Sequence, residues 1–276
     1  MIVSGEYSDR GLVNVIDSNA VIRTYPDLES VSHAAAEEFT DIGRAAIADT
    51  GRFAMVLAGG STPRRLYERL AGTSFRAQIV WDKVEFFWGD ERAVSPEHPD
   101  SNYRMANDAM LKHLNIAETR IHRMPTEQPD LDTVARDYQA EIACVFDSVG
   151  DGEVPHFDLV LLGMGADGHT ASLFPHADAL RETKRWVVPT RMPQSDSFRL
   201  TLTPTIINNA RNVLFLVAGA NKAETLAQVL NGPYEPERLP AQLIRPASGA
   251  TTWIIDEDAA RQLPHHSLEG ARGSNS

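Results

Sequence analysis

Four short apolar runs, each closed by a glycine-bearing turn and followed by a helical pattern, constrain the fold of this chain more than any other feature. They lie at residues 53–58 (FAMVLA), 84–88 (VEFFW), 157–162 (FDLVLL) and 213–218 (VLFLVA). Apolar character that continues with little alternation belongs to strands buried on both faces. Between the runs lie helical patterns. In 28–50 Val31, Ala35, Phe39, Ile42 and Ala46 recur at spacings of three and four, and Gly51 stops the pattern. A second helix follows GGSTP, with Pro63 in its first turn, and runs to Gly72; others are expected over 102–114 and over 131–149. The alternation predicts an α/β fold, a mostly parallel sheet with helices on both faces.

In such sheets ligands bind beyond the carboxyl ends of the strands. That rule selects GGST at 59–62, GDER at 89–92, GMGADGHT at 163–170 and AGANK at 218–222. The third contains Gly163, Gly165 and Gly168 in the G-x-G-x-x-G spacing of a dinucleotide site. A dinucleotide would also need a carboxylate at the end of the next strand for the ribose hydroxyls. The next strand is expected at 185–190 (RWVVPT), which offers no acid there.

What this loop does carry is Asp167 and His169 on either side of Gly168. Imidazole exchanges protons near neutral pH and, at a glycine turn, can come close to a substrate. In GGST, the amides and hydroxyls of Gly60, Ser61 and Thr62 open a helix and suit a phosphate. The loop is neither a Walker loop nor a nucleophile elbow, so Ser61 reads as an anion donor. Arg92 and Lys222 each follow a strand ending at the same edge, and Arg199, opening RLTLT, is a third candidate cation. Cations, an anion loop and a histidine on one rim describe a sugar-phosphate site with acid-base capacity. The Gly163, Gly165 and Gly168 amides are candidate oxyanion donors.

Composition sets the outer bounds. With 276 residues the chain can bury one large α/β domain. A net charge of −12 argues against nucleic acid as a partner, and makes an anionic ligand dependent on local cations. No apolar run is long enough for a membrane span, and the first twenty residues do not read as a secretory signal. Cys144, the single cysteine, excludes a disulfide framework and reads as a core filler. A cytoplasmic protein is expected, a monomer or small homo-oligomer without a membrane partner. The segment HHSLEGARGSNS is expected to be disordered, its two histidines no metal site.

The segments LAGGSTPRRLYERL, FFWGDERAVSPEHPDSNYRMA, FDLVLLGMGADGHTASLFPH, RLTLTPTIINNA and VLFLVAGANKAETL closely resemble the 6-phosphogluconolactonases of the glucosamine-6-phosphate isomerase/6-phosphogluconolactonase family. The resemblance covers residues 21–263 as a single catalytic domain, leaving 1–20 as an extension and 264–276 as a tail. It implies a fold similar to glucosamine-6-phosphate deaminase and the ribose-5-phosphate isomerase-like proteins. The implied reaction is hydrolysis of 6-phospho-D-glucono-1,5-lactone in the oxidative pentose phosphate pathway, with no metal or organic cofactor. It further implies that His169 activates water, that Arg92 and Lys222 hold the phosphate, and that Gly60, Ser61 and Thr62 form its loop. Asp167 is a candidate to orient His169; Arg199 either assists at the phosphate or pairs with an acid such as Asp167. The deaminase relatives resemble DGHIAFNEP where this chain reads DGHTASLFP, without the glutamate, which favours hydrolysis over isomerisation. An isomerase or deaminase on the same scaffold, and a catalytically silent sugar-phosphate sensor, are the alternatives.

Overall fold

The apolar runs become the centre of a sheet. The computed structural model describes residues 3–8, 11–17, 20–147, 153–193 and 195–264. The strands are β1 (Val3–Ser8), β2 (Gly11–Asp17), β3 (Ala20–Tyr25), β4 (Phe53–Leu57), β5 (Val84–Trp88), β6 (Asp90–Arg92), β7 (Leu159–Leu162), β8 (Val187–Arg191), β9 (Phe198–Leu202), β10 (Asn212–Val217) and β11 (Ala250–Asp256). An eight-stranded sheet runs in the order β1-β2-β3-β11-β10-β7-β4-β5. From β3 to β5 every pairing is parallel, while β1, β2 and β3 pair antiparallel at the edge.

Every residue of β4 and β7 is buried, as continuous apolar sequence requires of strands covered on both faces. The covering helices begin and end where local chemistry dictates. Asp27 caps the helix Leu28–Thr50 by accepting from the Ser30 amide at 2.8 Å, and Gly51 ends it in the left-handed region with φ 79°. Asn102–Ala109 is shorter than expected: Met110 leaves helical geometry and a 3₁₀ turn, Leu111–His113, follows. Leu131–Val145 ends before residues 148 and 149, which lie outside the described residues. Its inward stripe is Val134, Ala135, Tyr138 and Ile142, so Cys144 points outward and is exposed, not a core filler.

A second correction concerns 185–190. These residues do not form the next parallel strand. β8 lies in a separate three-stranded antiparallel sheet, β6-β9-β8. The strand that follows β7 along the chain in the parallel sheet is β10, and the turn after it holds no carboxylate until Asp256 arrives from β11. The two sheets meet at Gly89, whose amide donates to the Leu57 carbonyl at 2.9 Å and whose carbonyl accepts from Leu202 at 2.8 Å. That hinge carries β6 and β9 over the carboxyl edge of the main sheet. No helix among the described residues is long and apolar enough to cross a membrane. The tail expected to be disordered falls, from residue 265 onward, outside the described residues, as do His265 and His266.

Candidate active site

A cleft of about 240 Å³ opens at the carboxyl edge of the parallel sheet, and each of the four glycine-bearing turns contributes to its wall. Gly60, Ser61, Thr62, Arg92, Gly163, Gly165, His169, Arg199 and Lys222 all line it. Asp167 and Gly168 belong to the same loop as His169 but do not line the cleft.

The histidine turn is tightly determined. Its chain doubles back so that the Gly165 amide donates to the His169 carbonyl at 2.8 Å and the Gly168 amide to the Gly165 carbonyl at 3.1 Å. Two of the three expected oxyanion donors are therefore engaged within the turn. Gly165 has no room for a side chain, since a Cβ there would lie 2.1 Å from His169 Nδ1 and 2.4 Å from Asp167 Oδ1. That close approach brings the two side chains together, with His169 Nδ1 2.5 Å from Asp167 Oδ1. Burial raises the Asp167 carboxyl pKa, but the hydrogen bond and charge of His169 outweigh it and hold the group below its usual range. An ionised Asp167 can only accept, so His169 Nδ1 is the donor of that hydrogen bond. The ring also packs against Phe174, with centroids 4.9 Å apart.

A cradle of cations lines the same cleft. In the β6–β9 register Arg92 faces Arg199 directly. Two like charges side by side are unfavourable unless something anionic compensates them. Arg92 Nη1 donates to the Asp100 carbonyl at 2.6 Å and to Asn102 Oδ1 at 2.7 Å. Arg199 Nη1 lies 3.6 Å from Asp90 Oδ2, and Nη2 donates to Met192 Sδ at 3.5 Å. Its acid is thus Asp90 rather than Asp167, because β9 pairs with β6 and not with the histidine turn. Burial draws the Arg199 guanidinium below its ordinary range, against the charge of Asp90. The Nε atoms of both arginines are buried without a hydrogen-bond partner among the described residues.

The remaining walls supply further donors. Gly60, with φ 105°, turns the chain into the helix Ser61–Ala71 without a side-chain cap, leaving the first-turn amides of Ser61 and Thr62 without intrahelical acceptors. Gly59 admits Asn102, whose Oδ1 would lie 2.0 Å from any Cβ at that position. On the far side the Asp256 carboxylate accepts from the Gly219 amide at 2.9 and 3.0 Å and so shapes the turn that presents Lys222. Burial lowers the Lys222 ammonium pKa while the charge of Asp167 works to raise it. Among the described residues Lys222 has no ion-pair partner.

Asp90, Asn102 and Glu91 were not singled out from the sequence. Buried Glu91 accepts from the amides of Arg92, Asn102 and Tyr103, each at 2.8 Å, and from Ser101 Oγ at 3.0 Å. It fixes the N-terminus of the helix Asn102–Ala109 to β6, and burial raises its carboxyl pKa in spite of these bonds. The acidic letters of GDER were visible, but which helix they would meet was not.

A family model described as glucosamine-6-phosphate isomerases/6-phosphogluconolactonase matches residues 26–253. A protein named 6-phosphogluconolactonase from Synechocystis sp. is 45% identical over 218 residues, covering 79% of this chain and 88% of that protein. One of the same name from Nostoc sp. is 43% identical over the same shares. The structure of 6-phosphogluconolactonase from Trypanosoma brucei superposes with a TM-score of 0.76 at 28% identity, covering 88% of this chain and 98% of that one. The chain belongs to the glucosamine-6-phosphate isomerase/6-phosphogluconolactonase family.

Proposed function

We propose that the chain is a 6-phosphogluconolactonase, which opens 6-phospho-D-glucono-1,5-lactone to 6-phosphogluconate as a step of the oxidative pentose phosphate pathway. One observation carries this reading: a carboxylate-held imidazole and the cations Arg92, Arg199 and Lys222 border one cleft. In this reading Arg92, Arg199, Lys222 and the 60–62 loop receive the phosphate, and a phosphate so held orients the lactone against His169.

His169 Nε2 takes a proton from water as the water oxygen attacks C1. The C1–ring oxygen bond then breaks, and the imidazolium returns the proton to the departing oxygen. Asp167 keeps the imidazole in the required tautomer and stabilises its charged form. The carbonyl oxygen, as it gains charge, faces the Gly163 end of the turn. A lactone is an activated ester, so water can serve as nucleophile without a covalent intermediate.

An isomerase or deaminase would also need a carboxylate placed to move a proton between carbons. Among the described residues the only carboxylate lining the cleft is Asp90, already engaged by Ser172 and Asn102. The loop that carries His169 continues instead into buried Leu173 and Phe174.

The test is hydrolysis of phosphorylated against unphosphorylated gluconolactone, with the buffer rate subtracted. His169→Ala should lower kcat by on the order of 10²-fold or more with a smaller effect on KM. An unchanged kcat would remove His169 from the chemistry. Release of ammonia from glucosamine 6-phosphate would favour the deaminase reading, and tight binding without turnover the sensor.

A further inference from the structure

Ser172 is completely buried and does not line the cleft, so it can touch neither substrate nor attacking water. Its hydroxyl nevertheless donates to Asp90 Oδ2 at 2.5 Å, across 82 residues of sequence. Its amide is fixed as well, donating to Thr201 Oγ1 at 3.2 Å. The bond therefore ties the histidine loop to the hinge strand beneath the arginine pair.

Asp90 is buried and reaches the cradle on both sides, Arg199 directly and Arg92 through Asn102. Its Oδ1 accepts from Asn102 Nδ2 at 3.1 Å, and Asn102 Oδ1 in turn accepts from Arg92 at 2.7 Å. Its Oδ2 has two suitors, the Ser172 hydroxyl and, at 3.6 Å, Arg199 Nη1. At that separation Arg199 feels the charge without a full hydrogen bond. A buried carboxylate relieved of the hydroxyl would be under-satisfied, and the closest unused donor is Arg199. Closing that gap would turn the guanidinium away from the cleft and into a side-by-side ion pair.

We propose that Ser172 is a positioning residue for phosphate recognition: by occupying Asp90 Oδ2 it holds Arg199 short of a closed ion pair and available to the substrate's phosphoryl group. The inference rests on the reading of this cleft as a sugar-phosphate site. Its signature is a change in phosphate affinity at nearly constant turnover, because His169 and Asp167 are untouched by the exchange.

The experiment combines Ser172→Ala with Asp90→Asn, and reads both inorganic phosphate binding by titration calorimetry and the kinetics of lactone hydrolysis. Ser172→Ala should weaken phosphate binding and raise KM for the phosphorylated lactone by on the order of tenfold, the scale of one charge-assisted hydrogen bond, with kcat within about threefold. In the double variant the neutral amide can no longer form an ion pair with Arg199, so phosphate affinity should recover most of that loss. A general loosening of the fold predicts the opposite, a double variant worse than either single one, and thermal unfolding of each variant tracks that outcome. Unchanged affinity in Ser172→Ala, or no recovery in the double variant, overturns the proposal. Should the parent protein bind phosphate in this way yet fail to open the lactone, the functional reading fails while the role of Ser172 stands.

Discussion

At the scale of single residues the site depends on what is missing as much as on what is present. Gly165 has to lack a side chain, because a Cβ would occupy the space in which Asp167 meets His169. Gly165→Ala should therefore lower kcat by about 10²-fold, close to the effect of removing the imidazole, while inhibition by inorganic phosphate stays within a few-fold. A variant with normal kcat would mean that the pair tolerates separation. Asp167→Asn probes the same contact by charge instead of volume: the amide can hold Nδ1 but no longer stabilises the imidazolium, so kcat should fall by at least about tenfold with the fold intact. His169, Arg92 and Lys222 were legible as residue types following strand ends, and Arg199 as the opening of the run RLTLT. The Asp167–His169 contact was legible only as a possibility, since spacing across a glycine turn does not fix which way two side chains point. Asp90 and Asn102 were not legible at all. Their roles arise from hydrogen bonds between segments brought together by the hinge at Gly89, and no local pattern encodes such a meeting.

At the scale of elements, the strands that could be read were those buried on both faces, for which apolar composition alone is diagnostic. The helix Leu28–Thr50 was legible to its last residue because its apolar spacing and its stop glycine agree. The strands β1, β2 and β3 at one end of the sheet escaped, as did β11, whose sequence ATTWIID mixes polar and apolar residues. β8 and β9 were seen as strands or runs but not as a second sheet, because pairing partners are a tertiary property. That second sheet has a functional consequence: its register sets Arg92 opposite Arg199. Arg92→Ala should act chiefly on kcat/KM, lowering it on the order of 10-fold to 10²-fold for the phosphorylated lactone and far less for the unphosphorylated one. Comparison of the two substrates in the variant checks this. A variant that keeps the full preference for the phosphorylated lactone would place the anchor elsewhere.

At the scale of the whole molecule, a net charge of −12 and an anionic substrate are reconciled by distance. Exposed charges beyond roughly 10 Å are largely screened at about 0.1 M salt, whereas cations lining a cleft, as proposed for the phosphate, would act at contact range and partly shielded from solvent. A second, partly buried ionic cluster lies outside the cleft. His122 stacks on Phe87 with centroids 4.4 Å apart, its Nδ1 2.7 Å from Glu141 and its Nε2 3.2 Å from Glu85, which Arg120 also holds. Burial works to lower the imidazole pKa, but hydrogen bonds and charge from Glu141 and Glu85 raise it to about 9, above its ordinary 6.5. The charged ring is thus favoured in the folded state over the unfolded one. Its stabilising contribution is complete below about pH 6.5 and is lost as pH rises through about 9. The melting temperature should consequently decline between pH 7 and pH 9, and His122→Gln should be less stable than the parent at pH 6 with a flatter profile across that interval. The Tyr138 hydroxyl joins the His122 carbonyl to the Trp88 amide at the end of β5, so the cluster braces the strand that leads into the hinge. An equally steep decline in His122→Gln would assign the pH dependence to other groups and leave this cluster as packing alone.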